Sequence, residues 1–438
     1  MFENILAQDE AVGLLRADVG QGRLPPALLF EGPRGSGKLS AALELSRALS
    51  CAAPGGERAA WNCPCPACAR HRVLAHPDLL LLGARSFPEE LRAAGELLER
   101  SPGKAAAFFF VRAARKLARR FDAALYEGEE TRLAKAAPLL RELEECLDGV
   151  APDRALPASL APGAEAAAAK AATACAKLEA LVPAAPPVFM VRNVELWARL
   201  APLGPRKAVL IENADDMLEG ARNALLKILE EPPETVRFIL TSSRRSSMMA
   251  TILSRTRSYQ FRARGPAETS LVLERVFRSD EPATSVAAFL AARRAFPPEA
   301  ARRLARDFLG SGLASLEASL ERGARPPSAL LDGPLAARAA EARARGRAGQ
   351  EALAALLEAT KDFGQKDELY ATSFTSFLEA LARELGELLR ESGLGPRGQA
   401  TVERIAALAR GARSDREYYN RSPSLLAESL LYAIGELP

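Results

Sequence analysis

The stretch Ala27–Ser40, ALLFEGPRGSGKLS, constrains this chain more than any other. The apolar run Ala27-Leu28-Leu29-Phe30 reads as a short buried strand that breaks at Gly32-Pro33, and a helical segment starts near Lys38. Gly32, Gly37 and Lys38 fit the first seven positions of the phosphate loop G-x-x-x-x-G-K-[ST]. Glycines there let successive backbone N–H groups curl around an anion, and the N-terminus of the next helix adds its positive end. The candidate phosphate-binding residues are therefore Gly32, Pro33, Arg34, Gly35, Ser36, Gly37 and Lys38. The eighth position, whose hydroxyl would hold Mg²⁺, is Leu39. Ser40 comes one residue late, and one step along a helix turns a side chain by about 100°. The cradle is present and the metal hook is missing, so ATP binding is left open.

A second motif stands at the end of another apolar run, Ala208-Val209-Leu210-Ile211, which leads into Glu212-Asn213-Ala214-Asp215-Asp216. A working phosphate-loop ATPase keeps an Asp for Mg²⁺ and then a Glu to activate water at such a strand end. Here Glu212 and Asn213 take those places, and Asn213 cannot accept a proton, so the general base is lacking. Further strands are expected at 79–82, 236–240 and 259–261. Helices are expected at 4–20 and 41–49, and the segment 223–231 reads as a helix closed by Pro232-Pro233. Strands alternating with helices predict an α/β fold with a parallel sheet over residues 1–262. Beyond it, 265–330 reads as all-helical, with Leu271, Val272, Leu273, Val276 and Phe277 on one apolar face. Residues 334–349 read as a linker or one exposed helix. Leu369 onward and Leu425–Ile434 read as a helical bundle. A chain of 438 residues with 48% hydrophobic content can build two to four such cores.

Four of the six cysteines crowd into Cys51-x11-Cys63-x-Cys65-x2-Cys68. Clustered thiols in a chain with no visible secretion signal point to metal rather than disulfides. Four thiolates can close a tetrahedral zinc site that staples a loop-rich insert over 51–72, for which Pro54, Gly55, Gly56, Pro64 and Pro66 are suited. Cys63-x-Cys65 is one residue shorter than the usual knuckle, which leaves His71 as an alternative ligand. His76 in His76-Pro77-Asp78 reads as a surface or turn residue.

Residues 87–185 change character. They are rich in Ala, with two or three long helices expected and breaks at Ser101-Pro102-Gly103, near Glu127-Gly128 and across 150–163. Between Arg100 and Arg120 there are seven basic residues and no acidic one, and from Glu127 to Glu145 six glutamates face three basic residues. The plain reading is an antiparallel hairpin with paired faces, and the sharper one is a DNA-contacting arm anchored by Phe108-Phe109-Phe110. Cys146 and Cys175 read as helix-interface fillers. The net charge of +4 does not by itself argue for nucleic acid. No apolar run approaches the ~20 residues of a membrane span, and the expectation is a soluble, cytoplasmic protein without membrane contact.

Taken together, GRLPPALLFEGPRGSGK, the cysteine insert followed by HPDL, NALLKILEEPP and TILSRTR resemble the clamp-loader subunits of bacterial DNA polymerase III, in the AAA+ superfamily. The resemblance covers about 1–85 and 188–262 well and the C-terminal helices loosely. It implies an AAA+ domain over 1–262 carrying the zinc and helical inserts, a helical lid over 263–333 and a C-terminal oligomerisation collar over 334–438. Two subunit types share the pattern, the hydrolysing gamma/tau and the non-hydrolysing delta-prime. Leu39 with Glu212-Asn213 resembles delta-prime, which implies a stator without ATPase activity of its own. The implied partners are gamma/tau-type ATPase subunits, the delta subunit, the sliding clamp and primer–template DNA, and the implied metal is structural zinc. A hydrolysing gamma/tau-type motor is the rival reading. The family's Ser-Arg-Cys motif stands here as Ser254-Arg255-Thr256, and it implies that Arg255 enters the ATP site of a neighbouring subunit. Ser242 and Ser243 fall where the family keeps a sensor residue.

Overall fold

The computed structural model describes residues 1–53, 59–83, 87–150, 152, 162–183, 185–293, 298–323, 326, 330–345, 369–419 and 421–437. Pro54, Gly55 and Gly56 of the cysteine loop, most of the break at 150–163, and 346–349 of the expected linker lie outside the described residues. Those described group into two compact units, Met1–Arg293 and Arg294–Pro438.

The first unit opens with α1 (Asp9–Gly20), β1 (Ala27–Glu31), α2 (Lys38–Ser50), α3 (Pro66–Arg72) and β2 (Leu79–Leu82). Next come α4 (Pro88–Arg100), α5 (Lys104–Ala118), α6 (Glu130–Gly149), α7 (Pro162–Glu179) and α8 (Val188–Arg199). The unit closes with β3 (Lys207–Ile211), α9 (Glu219–Glu230), β4 (Val236–Ser242), α10 (Ala250–Leu253), β5 (Arg257–Gln260), α11 (Pro266–Val272) and α12 (Val286–Ala291). The expected helix over 4–20 starts only at Asp9. Ala7 takes a left-handed φ of 54°. The Gln8 amide is drawn aside into two hydrogen bonds with the Arg262 backbone, at 2.9 and 3.0 Å.

The five strands form one parallel sheet in the order β2-β3-β4-β1-β5, with Leu28 opposite Ile239 and Arg257, and Val209 opposite Phe238. Strands β1, β2 and β3 are buried along their whole length, as expected of parallel strands wrapped by helices, while the edge strand β5 buries only Tyr259. On one face Leu28, Phe30, Leu79, Leu81, Leu210 and Ile239 pack against residues of α1 and α2. On the other, Leu29, Leu80, Leu82, Val209, Ile211, Phe238 and Leu240 share one core with α4–α9.

The insert therefore contributes four described helices rather than two or three, and it shares the core of the sheet. Cys146 and Cys175 are buried within that core. The acidic and basic helices meet through Arg115 and Glu144 at 2.6 Å. That pair agrees with the paired-face reading, whereas Arg112, Lys116, Arg119 and Arg120 of the basic run turn to acceptors within the protein and Arg100 and Lys104 stay exposed. Arg100 donates to the carbonyls of Phe277 and Arg278, Lys116 pairs with Glu90, and Arg112, Arg119 and Arg120 reach carbonyls of the 71–82 segment. Phe110 is buried, Phe108 packs edge-on against Trp61, and Phe109 packs on Phe277. Phosphate contact needs exposed cations, and Arg112, Lys116, Arg119 and Arg120 are spent on protein acceptors, which weakens the reading of the run as a DNA-contacting arm.

The second unit is helical: α13 (Pro298–Arg322), α14 (Gly333–Ala344), α15 (Leu369–Leu388), α16 (Pro396–Tyr419) and α17 (Pro423–Gly435). Phe374, Phe377, Leu381, Leu385, Leu426, Leu430 and Ile434 form its core with Phe308 and Leu313. Buried Glu384 lies against Arg302, Arg306 and Arg338, tying α13, α14 and α15 together. Among the described residues no helix is long and apolar enough to cross a membrane.

Candidate nucleotide site and metal centre

The phosphate loop leaves the C-terminal end of β1 and enters α2, as the sequence requires of a phosphate cradle. Gly32 is held by its N–H on the Ser242 carbonyl at 3.2 Å, and a β-carbon there would run into the Phe261 carbonyl. Gly35, at φ 77°, lies so near α12 that a β-carbon would fall 2.8 Å from the Ala287 nitrogen. Arg264 donates to the carbonyls of Gly35 and Leu6, at 2.6 and 3.0 Å, and closes the outer side of the loop. Pro33 and Arg34 are exposed, while the Ser36 hydroxyl is buried without a hydrogen-bond partner. The Lys38 ammonium folds back onto the Gly32 and Pro33 carbonyls at 2.6 and 2.7 Å. Burial lowers its pKa to about 8, against the opposing pull of Glu212 and Asp215. Leu39 is only 8% exposed and packs into the core beneath α2, and Ser40 points to solvent.

The strand carrying the second motif is not the neighbour of β1, because β4 runs between them. Thr241 on β4 accepts the Asn213 backbone N–H at 3.1 Å, which links the two edges of the site. Ser242 supplies its carbonyl to Gly32 and its hydroxyl to the Arg244 N–H. Asp215 and Asp216 pair with Arg244 at 3.2 and 2.5 Å. Glu212 is buried and paired with Arg120 of the insert, at 2.6 Å. The sequence presented Arg120 as one of seven basic residues. The signal that picks it out is a carboxylate at a buried strand end, which needs a cation from somewhere.

Arg255 follows α10 and precedes β5, the edge strand beside β1. It donates to Glu230 at 2.8 Å and to the Thr251 carbonyl at 3.0 Å, and its side chain is 33% exposed. Arg257 pairs with Leu28, so Arg255 lies at the N-terminal end of the sheet, whereas the phosphate loop leaves the C-terminal end. At ~3.3 Å per residue the two ends are about 20 Å apart, too far for Arg255 to serve its own loop.

Cys51, Cys63, Cys65 and Cys68 lie with all four sulfurs within 4.8 Å of one another. The Cys51 Sγ is 3.8 Å from Cys63 Sγ and 3.9 Å from Cys65 Sγ. A tetrahedron of Zn–S bonds of about 2.3 Å has edges of roughly 3.8 Å, so the sulfurs fit that ion. The short Cys63-x-Cys65 spacing works because Cys65 caps α3, with Pro66 at the first helical position and the Cys68 N–H on its sulfur at 3.4 Å. Burial works against the Cys65 thiolate, but N–H donors from Cys68 and Ala52 outweigh it and hold its pKa at about 6. Burial pushes Cys68 up. Arg47, buried and paired with Glu44 at 2.8 Å, donates to Cys68 Sγ at 3.5 Å and was not singled out by the sequence. His71 stands apart from the four sulfurs. Its ring stacks on His76 at 4.2 Å, both rings are buried, and desolvation lowers the His71 pKa to about 2. His76 thus sits in a turn but not at the surface. Asp78 beside it accepts the Leu203 and Gly204 N–H groups at 3.1 and 2.7 Å.

Residues 7–130 and 190–264 match the family described as DNA polymerase III, delta subunit. The delta-prime subunit of DNA polymerase III from Pseudomonas aeruginosa is 38% identical over 116 residues, covering 26% of this chain and 35% of that protein. The gamma/tau subunit from Mycobacterium bovis is 38% identical over 86 residues, covering 19% of this chain and 15% of that protein. Over these parts of its length the chain is similar to the delta-prime and gamma/tau subunits of DNA polymerase III. It spans between 15% and 35% of the length of these two curated relatives. The solved structure of a DNA polymerase III, gamma subunit-related protein from Thermotoga maritima shares 19% identity, over 57% of this chain and 79% of that one. Its TM-score of 0.27 is too low to carry any residue across. The matches support a clamp-loader subunit of the gamma/tau and delta-prime type.

Proposed function

We propose that this chain is the non-hydrolysing, delta-prime-type stator of a DNA polymerase III clamp loader, and that it supplies Arg255 to the ATP site of a neighbouring subunit. The observation that carries this reading is Leu39, which stands where the Mg²⁺ hydroxyl belongs and is packed into the core beneath α2. Asn213 in place of a general base supports it, because a side-chain amide takes no proton from water. The position of Arg255 at the far end of the sheet from its own loop supports a role in trans. A guanidinium supplied that way neutralises charge on the transferring phosphoryl group.

In this reading the four cysteines hold one structural zinc, which staples 51–72 and has no open coordination position. Gly32–Lys38 is a phosphate loop in form, and it offers ATP at most a metal-poor site. Residues 1–262 serve as the AAA+ domain, 263–333 as a lid and 334–438 as the collar. The partners are gamma/tau-type ATPase subunits, the delta subunit, and through the assembly the sliding clamp and primed DNA, in the cytoplasm. Purification with candidate partners tests the class. Co-elution with a gamma-type ATPase and a delta subunit is expected. Steady-state ATP turnover by the isolated chain that vanishes in Lys38→Ala would turn the reading to the hydrolysing gamma/tau type.

A further inference from the structure

A divalent cation does not fit the residues that a phosphate-loop site would use for one. Leu39 offers no oxygen and is buried. Glu212, at the second position, faces a guanidinium. Among the described residues, the cysteine cluster alone brings three or more candidate metal ligands together. We propose that Arg120 is the resident cation of this site: the helical insert delivers a permanent positive charge to Glu212, and the acidic motif takes no divalent ion. The proposal rests on the reading of Glu212 as the second acidic motif.

The delivery can be followed residue by residue. Arg112 donates to the carbonyls of His71 and Arg72 at 3.3 and 2.9 Å. Arg115 donates to Val73 at 3.1 Å, and Arg119 to His76 at 3.1 Å and to Leu79. Arg120 ends the series on the Leu82 carbonyl with Nη1 and on Glu212 Oε2 with Nη2, the latter at 2.6 Å. Successive arginines of the insert thus step along the chain from α3 to the end of β2, and the last arrives at the carboxylate. The Phe87 ring lies 5.6 Å from the Arg120 guanidinium and closes that side. The two side chains are 2% and 9% exposed, so neither is open to bulk ions. Arginine suits the place because its several N–H donors serve the Leu82 carbonyl and the Glu212 carboxylate at once and it stays charged at every physiological pH. A divalent ion approaching Glu212 would meet a like charge at the same oxygen.

The test is Mn²⁺ binding to the zinc-loaded full chain without nucleotide, followed by electron paramagnetic resonance. The wild-type chain is expected to take up no stoichiometric Mn²⁺. Arg120→Ser is expected to bind one Mn²⁺ at least tenfold more tightly than wild type, and Arg120→Ser/Glu212→Gln to lose that gain. A wild-type chain that binds one Mn²⁺ in a Glu212-dependent way would overturn the proposal. So would a folded Arg120→Ser chain that binds no more tightly than wild type. Should Arg120→Ser fail to fold, the uncharged pair Arg120→Gln/Glu212→Gln decides. A folded pair supports Arg120 as the counterion of Glu212, and an unfolded pair overturns it. ATP turnover by the isolated chain would refute the non-hydrolysing reading while leaving this nucleotide-free comparison unaffected.

Discussion

Leu39→Thr restores the residue type that a phosphate loop uses to hold Mg²⁺, and we expect it to cost stability without producing an enzyme. Leu39 is 8% exposed within the core formed by β1, α1 and α2. The exchange removes about two carbon atoms of buried side chain, worth roughly 1.5–2 kcal/mol at ~0.8 kcal/mol per methylene. It also places a hydroxyl against apolar neighbours, at roughly 1–2 kcal/mol once partial hydrogen bonding to the helix backbone is allowed for. The sum, about 2.5–4 kcal/mol, falls in the range of other large-to-small core changes. Urea unfolding followed by circular dichroism should show a lower midpoint with an unchanged slope. Phosphate release by the folded variant should stay at background, because Asn213 still lacks a base and Glu212 still faces Arg120. Turnover above background in Leu39→Thr that disappears on adding Lys38→Ala would refute the reasoning, since the rest of the site would then have been competent.

Two further outcomes follow from the same geometry. Burial lowers Lys38 to about 8 from its usual value of 10.5, so the unfolded chain holds more protons than the folded one between those values and stability should rise as pH goes from 8 to 10.5, by on the order of 3 kcal/mol. NMR of ¹³C-methylated lysines should show one group titrating near pH 8 that is absent in Lys38→Met. Metal analysis of untagged protein should return one zinc per chain, reduced in Cys68→Ser; a value near zero with four freely titrating thiols would exclude the site.

Four strands of the sheet were readable because they are short apolar runs bounded by glycine, proline or charge, and Leu79–Leu82 and Ala208–Ile211 fall where those boundaries put them. In contrast, β5, expected at 259–261, runs over Arg257–Gln260 with no apolar run to mark it. The cysteine set was readable from spacing, since thiols at such intervals have few other uses. Charge in the insert was not. A basic run has the same sequence whether it faces phosphate or backbone carbonyls, and only the path of 71–82 beneath α5 decides. Buried polar partners were equally silent. Arg47 and Arg120 look like surface residues of Arg-rich helices, yet each meets a carboxylate that is distant from solvent, Glu44 and Glu212. The start of α1 at Asp9 was hidden for a similar reason, because Gln8 is held by Arg262 from the far end of the domain.

The central claim is tested most directly by Arg255→Ala in a loader reconstituted with gamma-type and delta subunits. Arg255 is 33% exposed and its contacts are Glu230, Ser254 and the Thr251 carbonyl, so its loss should leave folding and assembly intact. Loss of an arginine supplied in trans costs on the order of 10³-fold or more at the one site it serves, and less in a complex with several sites. We predict a clear fall in DNA-stimulated ATPase and clamp loading by the complex, with no change in the isolated chain. A complex that carries Arg255→Ala and loads clamps at the wild-type rate would contradict the account.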